Sequence, residues 1–390
     1  MKNKAIIVGA GPSGLSTACA LALIGVEVVV IDKQTDQQLA HPEEDGRDIA
    51  MAHKSKSILS SWGVWQRFCT EDIHPLVNAK VSTQGLFNSL VFERKDNSDE
   101  PLGFLIANHK IRKALYQQAR ELENISFELG CAVMHSQSSE AGVSVLIDSG
   151  KKITAQLLVA ADSRFSVIRR MMGIGASMTD YGRVMMVCNM RHSKSHDNTA
   201  RESFLYSKTC ATLPLGPGIS SVVITVPASV AHKLVQLSDE QFNIEATKVC
   251  SDQLGTMQLI GKRYSYPLVG TYSNRFIGER FALVGDAAVG MHPVTAHGFN
   301  LALRSADTLA CNVKNAINNA DDIGSAKVLR NYELRHQFLA KPIYEGTNAL
   351  VKLFTNDHPV AKIARKAAII AGNILPGFKS SVVRRLTQTS

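Results

Sequence analysis

No two cysteines in this chain stand within four residues of one another; the seven (Cys19, Cys69, Cys131, Cys188, Cys210, Cys250 and Cys311) are scattered singly. That scatter offers neither a zinc knuckle nor a dithiol redox pair, so no metal site is expected. An odd number of isolated thiols fits a reducing, cytoplasmic compartment. No signal-peptide pattern opens the chain. Aromatic residues are sparse at 6%, and Trp62 and Trp65 are the only tryptophans. Despite a net charge of +9, there is no zinc finger, aromatic RNA-binding motif or helix-turn-helix, which argues against nucleic acid as a partner. Acidic residues are absent after Asp357, where Lys362, Arg365, Lys366, Lys379, Arg384 and Arg385 stand among apolar ones. Two readings stay open there: a helix lying on a membrane surface, or a terminal helix docked on the protein with a solvated basic face. Apart from these gaps the composition is globular, 45% hydrophobic and 20% charged.

The most informative stretch is Lys4 to Asp32, KAIIVGAGPSGLSTACALALIGVEVVVID. Apolar runs at Ala5 to Val8 and Val26 to Ile31 flank a turn on Gly9, Gly11 and Gly14 and a small-residue helix from about Ser13 to Ile24. Its apolarity imitates a membrane span, but the turn and the two β-rich runs favour a buried βαβ unit. Gly9 permits the tight turn, Gly11 lets backbone approach a pyrophosphate, and Gly14 lets helix and strand pack closely. The helix N-terminus, with Pro12 and Ser13, offers free N–H groups to phosphate. Asp32, followed by Lys33, stands where a carboxylate accepts from a ribose diol. This is a dinucleotide-binding pattern, and it does not separate FAD from NAD.

Further along, 33–48 reads as loop closing on Gly46-Arg47, an arginine that could reach back over the cofactor phosphates. A helical stretch from about His53 to Ser61 follows. Val81 to Glu93 reads as a strand pair around Asn88, and Ile111 to Leu122 as a helix with Asn108 as N-cap. Strand-like runs at Ile125 to Met134, Val143 to Ile147 and Ile153 to Ala160 lead to Asp162. From near Tyr181 the composition changes to short β-type runs (Arg183 to Met190, Ser203 to Tyr206, Ser220 to Val226, Gln258 to Leu268). A turn-rich segment, Thr209 to Gly218, and one helix, about Asp239 to Leu254, interrupt them. That pattern suggests an antiparallel sheet inserted into an α/β frame. Helices are expected from Ser325 onward, broken near Pro359 and Pro376.

Phe281 to Arg304, FALVGDAAVGMHPVTAHGFNLALR, has a strand ending on a small-residue turn with Asp286, then a helix opening at Gly298. An Asp there can bind ribityl hydroxyls, and N–H groups near Gly298, Phe299 and Asn300 can face an anionic ring edge. Paired with the Gly9 turn, this suggests one long cofactor lying between two distant segments, as FAD requires.

Together with AADSRFSVIRR (Ala160 to Arg170), these segments resemble the single-component flavoprotein aromatic hydroxylases. Within that group the chain is most similar to the ubiquinone-biosynthesis hydroxylases, and ADSRFS with MHPVTAHGFN resembles their demethoxyubiquinol hydroxylase branch. The resemblance extends over nearly the whole chain. It implies an α/β fold: a Rossmann-like FAD-binding domain (1–180 and 270–325), an inserted antiparallel-sheet substrate domain (181–269, with strands from about 80–106) and a helical C-terminal region (326–390). It also implies that Asp286 binds the ribityl chain, that Gly298 to Asn300 lie near the flavin ring, and that Arg47 and Arg112 contact the cofactor. Asp162 would belong to a segment serving both FAD and NAD(P)H, supported by Arg169.

The implied reaction uses NADPH or NADH and O2. Reduced flavin forms a C4a-hydroperoxide, and an electron-rich phenol or quinol carrying an isoprenoid tail attacks its distal oxygen. A membrane surface or a quinone-biosynthesis complex is the implied setting, on the inner face of the membrane. His297 is the candidate base, with Tyr206 and Tyr264 behind it. The chain departs from the family at Ser163, where Gly follows the Asp, at Val289 for His, and at Ala296-His297 for Gly-Gln. WGVW at Trp62 to Trp65 is not the halogenase W-x-W-x-I-P. Two alternatives remain: hydroxylation of a small aromatic acid, for which Arg183 or Arg201 would be the carboxylate partner, and a non-catalytic flavin-binding scaffold.

Overall fold

The computed structural model describes residues 3–84, 86, 89–93, 100–250, 253–295, 297–356, 358–374, 377, 379 and 382–383. Asn88, Ala296, Pro376, Arg384 and Arg385 lie outside them.

Two large sheets organise the chain, as an α/β frame with an inserted, mainly antiparallel sheet. The frame sheet has six strands in the order Ile277–Gly278, Phe281–Leu283, Leu157–Ala160, Lys4–Val8, Glu27–Asp32, Ile125–Leu129. Five run parallel and only Ile277–Gly278 is reversed. Lys4–Val8 sits between Leu157–Ala160 and Glu27–Asp32, and its apolar side chains are buried on both faces. The Pro12–Ala22 helix follows with Pro at its first position, where a missing N–H costs nothing. Its small residues from Gly14 to Ala22 are all buried. They let the helix lie close between the sheet and the long Gly298–Asn318 helix.

The inserted sheet has eight strands: Val289–Gly290, Met257–Ser273, Ala176–His192, Ile219–Pro227, Thr209–Pro214, Thr199–Phe204, Asn78–Thr83 and Leu90–Glu93. One face packs Met186, Cys188, Met190, Val222 and Ile224 under the Ala228–Gln236 and Asp239–Val249 helices, around Phe242 and Leu234. The other face turns toward the frame.

Several local expectations need correction. Thr209 to Gly218 is not all turn, because Thr209–Pro214 is a strand paired on both sides and Pro214 is its last residue. Ile125 to Met134 is split by Gly130 at φ +68° into strands of two different sheets. Gly103–Ala107 pairs with Asp48–Met51 and His74–Leu76 in a small separate sheet. Asn108 is the first helical residue rather than the cap, and its side chain donates to Asp45 Oδ2 at 2.7 Å. The 33–48 segment contains a short helix, Asp36–Ala40, opened by a Thr35/Gln38 capping box.

The C-terminal part contains, among the described residues, the helices Ala326–Thr355 and Pro359–Ile374. Tyr332 fastens the first to the frame, donating to the Leu283 carbonyl at 2.6 Å beside Ser305. Among the described residues no helix is long and apolar enough to cross a membrane.

Candidate active site

The glycine turn is shaped by backbone-to-backbone contact. Gly9 has φ +109°, and a Cβ there would stand 2.5 Å from the Ala161 carbonyl oxygen. A Cβ on Gly14 would stand 1.8 Å from the Gly9 carbonyl oxygen. Gly11 differs: a Cβ there would meet no protein atom within 4 Å, so its backbone fronts an open side. Asp32 closes the turn, accepting from Ala10 N at 2.5 Å and Gln34 N at 2.7 Å. A carboxylate has about four acceptor directions, so two hydrogen bonds leave it capacity for a diol. Lys33 is exposed beside it. Arg112 reaches the same end, donating to Gln34 Oε1 at 3.2 Å.

The second turn lies against the first. Gly285 has φ +59°, and a Cβ there would stand 2.1 Å from Ser13 Oγ, on the first turn of the Pro12–Ala22 helix. The next residue, Asp286, pairs with Arg164 at 2.9 Å, and Arg164 also donates to the Val269 carbonyl at 2.8 Å. Arg47 is set at this end. Asp45 holds it at 2.6 Å, and the Tyr266 ring lies 5.4 Å from its guanidinium carbon. Burial opposes its charge, but the Asp45 carboxylate, helped by Asp286, holds its pKa above the usual value.

Asp162 is spent inside its own segment, accepting from Val167 N at 2.7 Å, Ile168 N at 3.1 Å and the Ser166 hydroxyl. Those bonds cap a short helix. Arg169, 3% exposed, ties the segment to the Ala287 carbonyl at 2.9 Å. Ser163, at the family's glycine position, has φ +81°, in the region that disfavours a Cβ.

The Gly298–Asn318 helix points its N-terminus into the same region. A Cβ on Gly298 would have open space, and Phe299 packs on the main core. The Asn300 side chain does structural work. Its Oδ1 accepts from Ala52 N at 3.0 Å and Ser55 Oγ at 2.6 Å, and its Nδ2 donates to the Ala50 carbonyl at 2.8 Å. Its amide is thereby tied to the Ala50–Ser55 segment. His297 is the N-cap residue, with Nδ1 buried.

Above these turns lies the inner face of the inserted sheet. Met185, Val187, Val223 and Leu268 form its apolar middle, with Tyr181 and Tyr266 alongside. Tyr266 donates to the Asp45 carbonyl at 2.6 Å, and the Tyr264 ring lies against Gly46. Burial raises the Tyr264 pKa, with Glu44 and Asp45 adding to it. Tyr206 lies elsewhere, on an outer cleft under Lys362. Arg201 faces the other side of the sheet with Cys210, Thr212 and Cys250, and Arg183 donates to the Ser207 and Thr355 carbonyls.

Three titratable residues on or beside this face escape a reading of motifs. His292 stands edge-on to Tyr181 at 4.9 Å and accepts from Val294 N through Nδ1, so its proton is on the buried Nε2. Burial, with Arg183 nearby, lowers its pKa to about 4. Asp48 is pushed up to about 6 by burial, against the Ser221 hydroxyl and with Asp45 and Glu44. Glu202 is pushed up to about 8 by burial, against a hydrogen bond from Thr209. Only His292 carried a signal, its place within the MHPV turn; the other two depend on sheet register.

A family model described as FAD binding domain matches residues 2–342. The chain is 42% identical over 386 residues to ubiquinone hydroxylase UbiM of Neisseria meningitidis, spanning 98% of this chain and 84% of that one. It is 33% identical over 384 residues to ubiquinone hydroxylase UbiL of Rhodospirillum rubrum, spanning 98% and 89%. Among solved structures, p-nitrophenol 4-monooxygenase PnpA from Pseudomonas putida DLL-E4 superposes with a TM-score of 0.79 at 17% identity. It covers 98% of this chain and 97% of its own, which is a likeness of fold.

Proposed function

The chain belongs to the FAD binding domain family and is a FAD-dependent monooxygenase of the ubiquinone-hydroxylase type, and on that premise we propose that it hydroxylates the ring of a demethoxyubiquinol-like precursor with NAD(P)H and O2. The observation that carries the reading is the seating of Gly285 on Ser13, which joins the two cofactor-binding turns in one wall. The residues fit FAD. Gly11, Pro12, Ser13 and Gly14 would receive the pyrophosphate on a helix N-terminus, and Asp32, with Lys33 and Arg112 nearby, the adenosine end. Asp286 would bind the ribityl hydroxyls, Arg47 would lie over the chain, and the backbone N–H groups at Gly298, Phe299 and Asn300 would face the ring edge. Asp162 would act by holding its helix rather than by touching a cofactor. Bound FAD supplies hydride acceptance from NAD(P)H and activation of O2.

The chain's own part is placement and dryness. Residues 1–180 and 270–325 would form the cofactor frame, 181–269 the ceiling together with strands from about 80–106, and the described residues of 326–390 the helical flank. Met185, Val187 and Val223 exclude water from above the ring site, which strengthens every dipole left inside. An isoprenoid tail would run outward along an apolar cluster in which Val294 packs with Phe204, Leu350, Leu353, Phe354 and Ile369, the last four on the Ala326–Thr355 and Pro359–Ile374 helices. On the final helix Val360, Ile363, Ile370 and Ile374 are exposed along one face, with Lys362 and Lys366 beside them. Basic residues flanking an apolar stripe match an anionic lipid surface. Arg365 has no part in this, because it is 1% exposed. The test is expression in bacteria blocked at single quinone hydroxylations, followed by lipid mass analysis. Restored ubiquinone, or a specific intermediate, is expected; no rescue at any position would refute the quinone reading.

A further inference from the structure

Three buried oxygens lie where the inserted sheet meets the frame: Asn189 Oδ1 and Ser221 Oγ on paired strands, and Asp48 Oδ2, which Ser221 approaches. None has a hydrogen-bond partner within bonding distance. Asn189 and Ser221 are directly opposite one another on adjacent strands, and they share the face of Val187 and Val223. Asp48 opens the Asp48–Met51 strand beneath them, close enough to Ser221 for that hydroxyl to stabilise its charge. The far end of the same short strand is held by Asn300 at the N-terminus of the Gly298 helix. Asp48 therefore stands between the ring end of the cofactor groove and the apolar ceiling. A buried polar atom left unsatisfied costs roughly 1–3 kcal/mol, and three together are unusual in a folded protein. A ligand hydroxyl placed there could donate its one hydrogen to Asp48 Oδ2 while accepting from the Ser221 hydroxyl.

We infer that Asp48, with Asn189 and Ser221 as its positioning partners, receives the ring hydroxyl of the substrate and acts as the base that removes its proton during oxygen transfer. This rests on the phenol or quinol reading above. The proton passes from the ring O–H to the Asp48 carboxylate. The O–H bonding pair remains on the oxygen and raises electron density at the ring carbon that takes up the new oxygen. When the ring regains aromaticity the proton is returned, so Asp48 ends as it began. NAD(P)H supplies the two electrons, and O2 yields one oxygen to the ring and one to water.

The charged and titratable groups around Asp48 fit this role. Glu44 and Asp45 on its own segment oppose its ionisation. Arg47 is turned to Asp45. From the Met257–Ser273 strand come Tyr264 and Tyr266, and from the Asn108–Glu121 helix His109, which faces Glu44 at 4.0 Å. None of these cations points at Asp48 in the described contacts, so the carboxylate keeps its basicity.

The test measures flavin reduction and oxygen transfer separately in the holoenzyme, with a methoxyphenol carrying a short isoprenoid chain as probe. In the wild type, transfer is expected to fall as pH drops through about 6, where Asp48 takes up a proton. Asp48→Asn is expected to keep bound flavin, to lose transfer by about 100-fold, as general-base catalysis predicts, and to lose that pH dependence. Ser221→Ala, which removes a group stabilising the carboxylate, should move the midpoint upward, and it decides the matter if the Asn variant does not fold. Unchanged transfer and an unchanged profile in both variants would overturn the assignment alone. A wild type that reduces FAD yet transfers oxygen to no prenylated phenol or quinol would overturn the functional reading and this inference together.

Discussion

Glu202 offers a test that needs no substrate. It lies on the inner face of the inserted sheet, opposite Ala211, and burial raises its pKa from 4.5 to about 8. A folded state that binds this proton more tightly than the unfolded chain does is most stable at low pH. That stability is lost as pH climbs from about 4.5 through about 8. At about 1.36 kcal/mol per pH unit, the loss approaches ~3 kcal/mol by pH 7. The side chain keeps some access to solvent, so about 2 kcal/mol is the working figure. Glu202→Gln keeps the shape and an acceptor for Thr209 but has no charge to bury. For 390 residues, an unfolding entropy of ~0.8 kcal/mol/K converts this to a Tm gain of roughly 2–3 °C near neutral pH. Thermal melts of the flavin-loaded proteins should coincide near pH 4.5 and separate progressively up to about pH 8. Parallel curves, or a wild type that gains on the variant as pH rises, would refute the argument that Glu202 is held neutral.

Other expectations follow from the same geometry. Ser163→Gly removes a Cβ at φ +81° and should stabilise by up to ~1 kcal/mol after the entropy cost of glycine, seen as a higher urea midpoint; a lower midpoint would contradict the strain. His297→Asn should slow oxygen transfer more than flavin reduction, and equal turnover and coupling would remove His297 as a second proton-handling group. Replacing Ile363 and Ile370, 70% and 42% exposed, by Asp should abolish co-flotation with vesicles containing anionic lipid while leaving flavin content intact; undiminished flotation would rule out that face as the docking surface.

The parts of this molecule visible in its sequence are those encoded locally. The Gly9 turn, its helix and Asp32 are one contiguous pattern, and the same holds for Gly285-Asp286 and the helix at Gly298. Other features depend on which strands become neighbours. Nothing near Asp48 announces that it will meet Ser221, because strand pairing alone sets Ser221 beside Asn189 and turns both toward the frame. Glu202 looks like an ordinary alternating surface residue until Asn78–Thr83, far earlier in the chain, pairs in parallel alongside it. The Thr209–Pro214 strand is hidden by Pro214 and Pro217, whose turn propensity is satisfied at the strand's end rather than throughout. Nothing local announces that the Asn300 amide fastens the Ala50–Ser55 segment, which lies far earlier in the chain.

Arg365 joins the last helix to the one before it, donating to the Leu353 and Asn356 carbonyls at the end of Ala326–Thr355. A guanidinium seated on the negative pole of its neighbour fixes the angle between the two rods. The Pro359–Ile374 segment is thus a rigid paddle rather than a tethered tail. It can meet another surface without first having to fold, so little of the contact energy is consumed in ordering it.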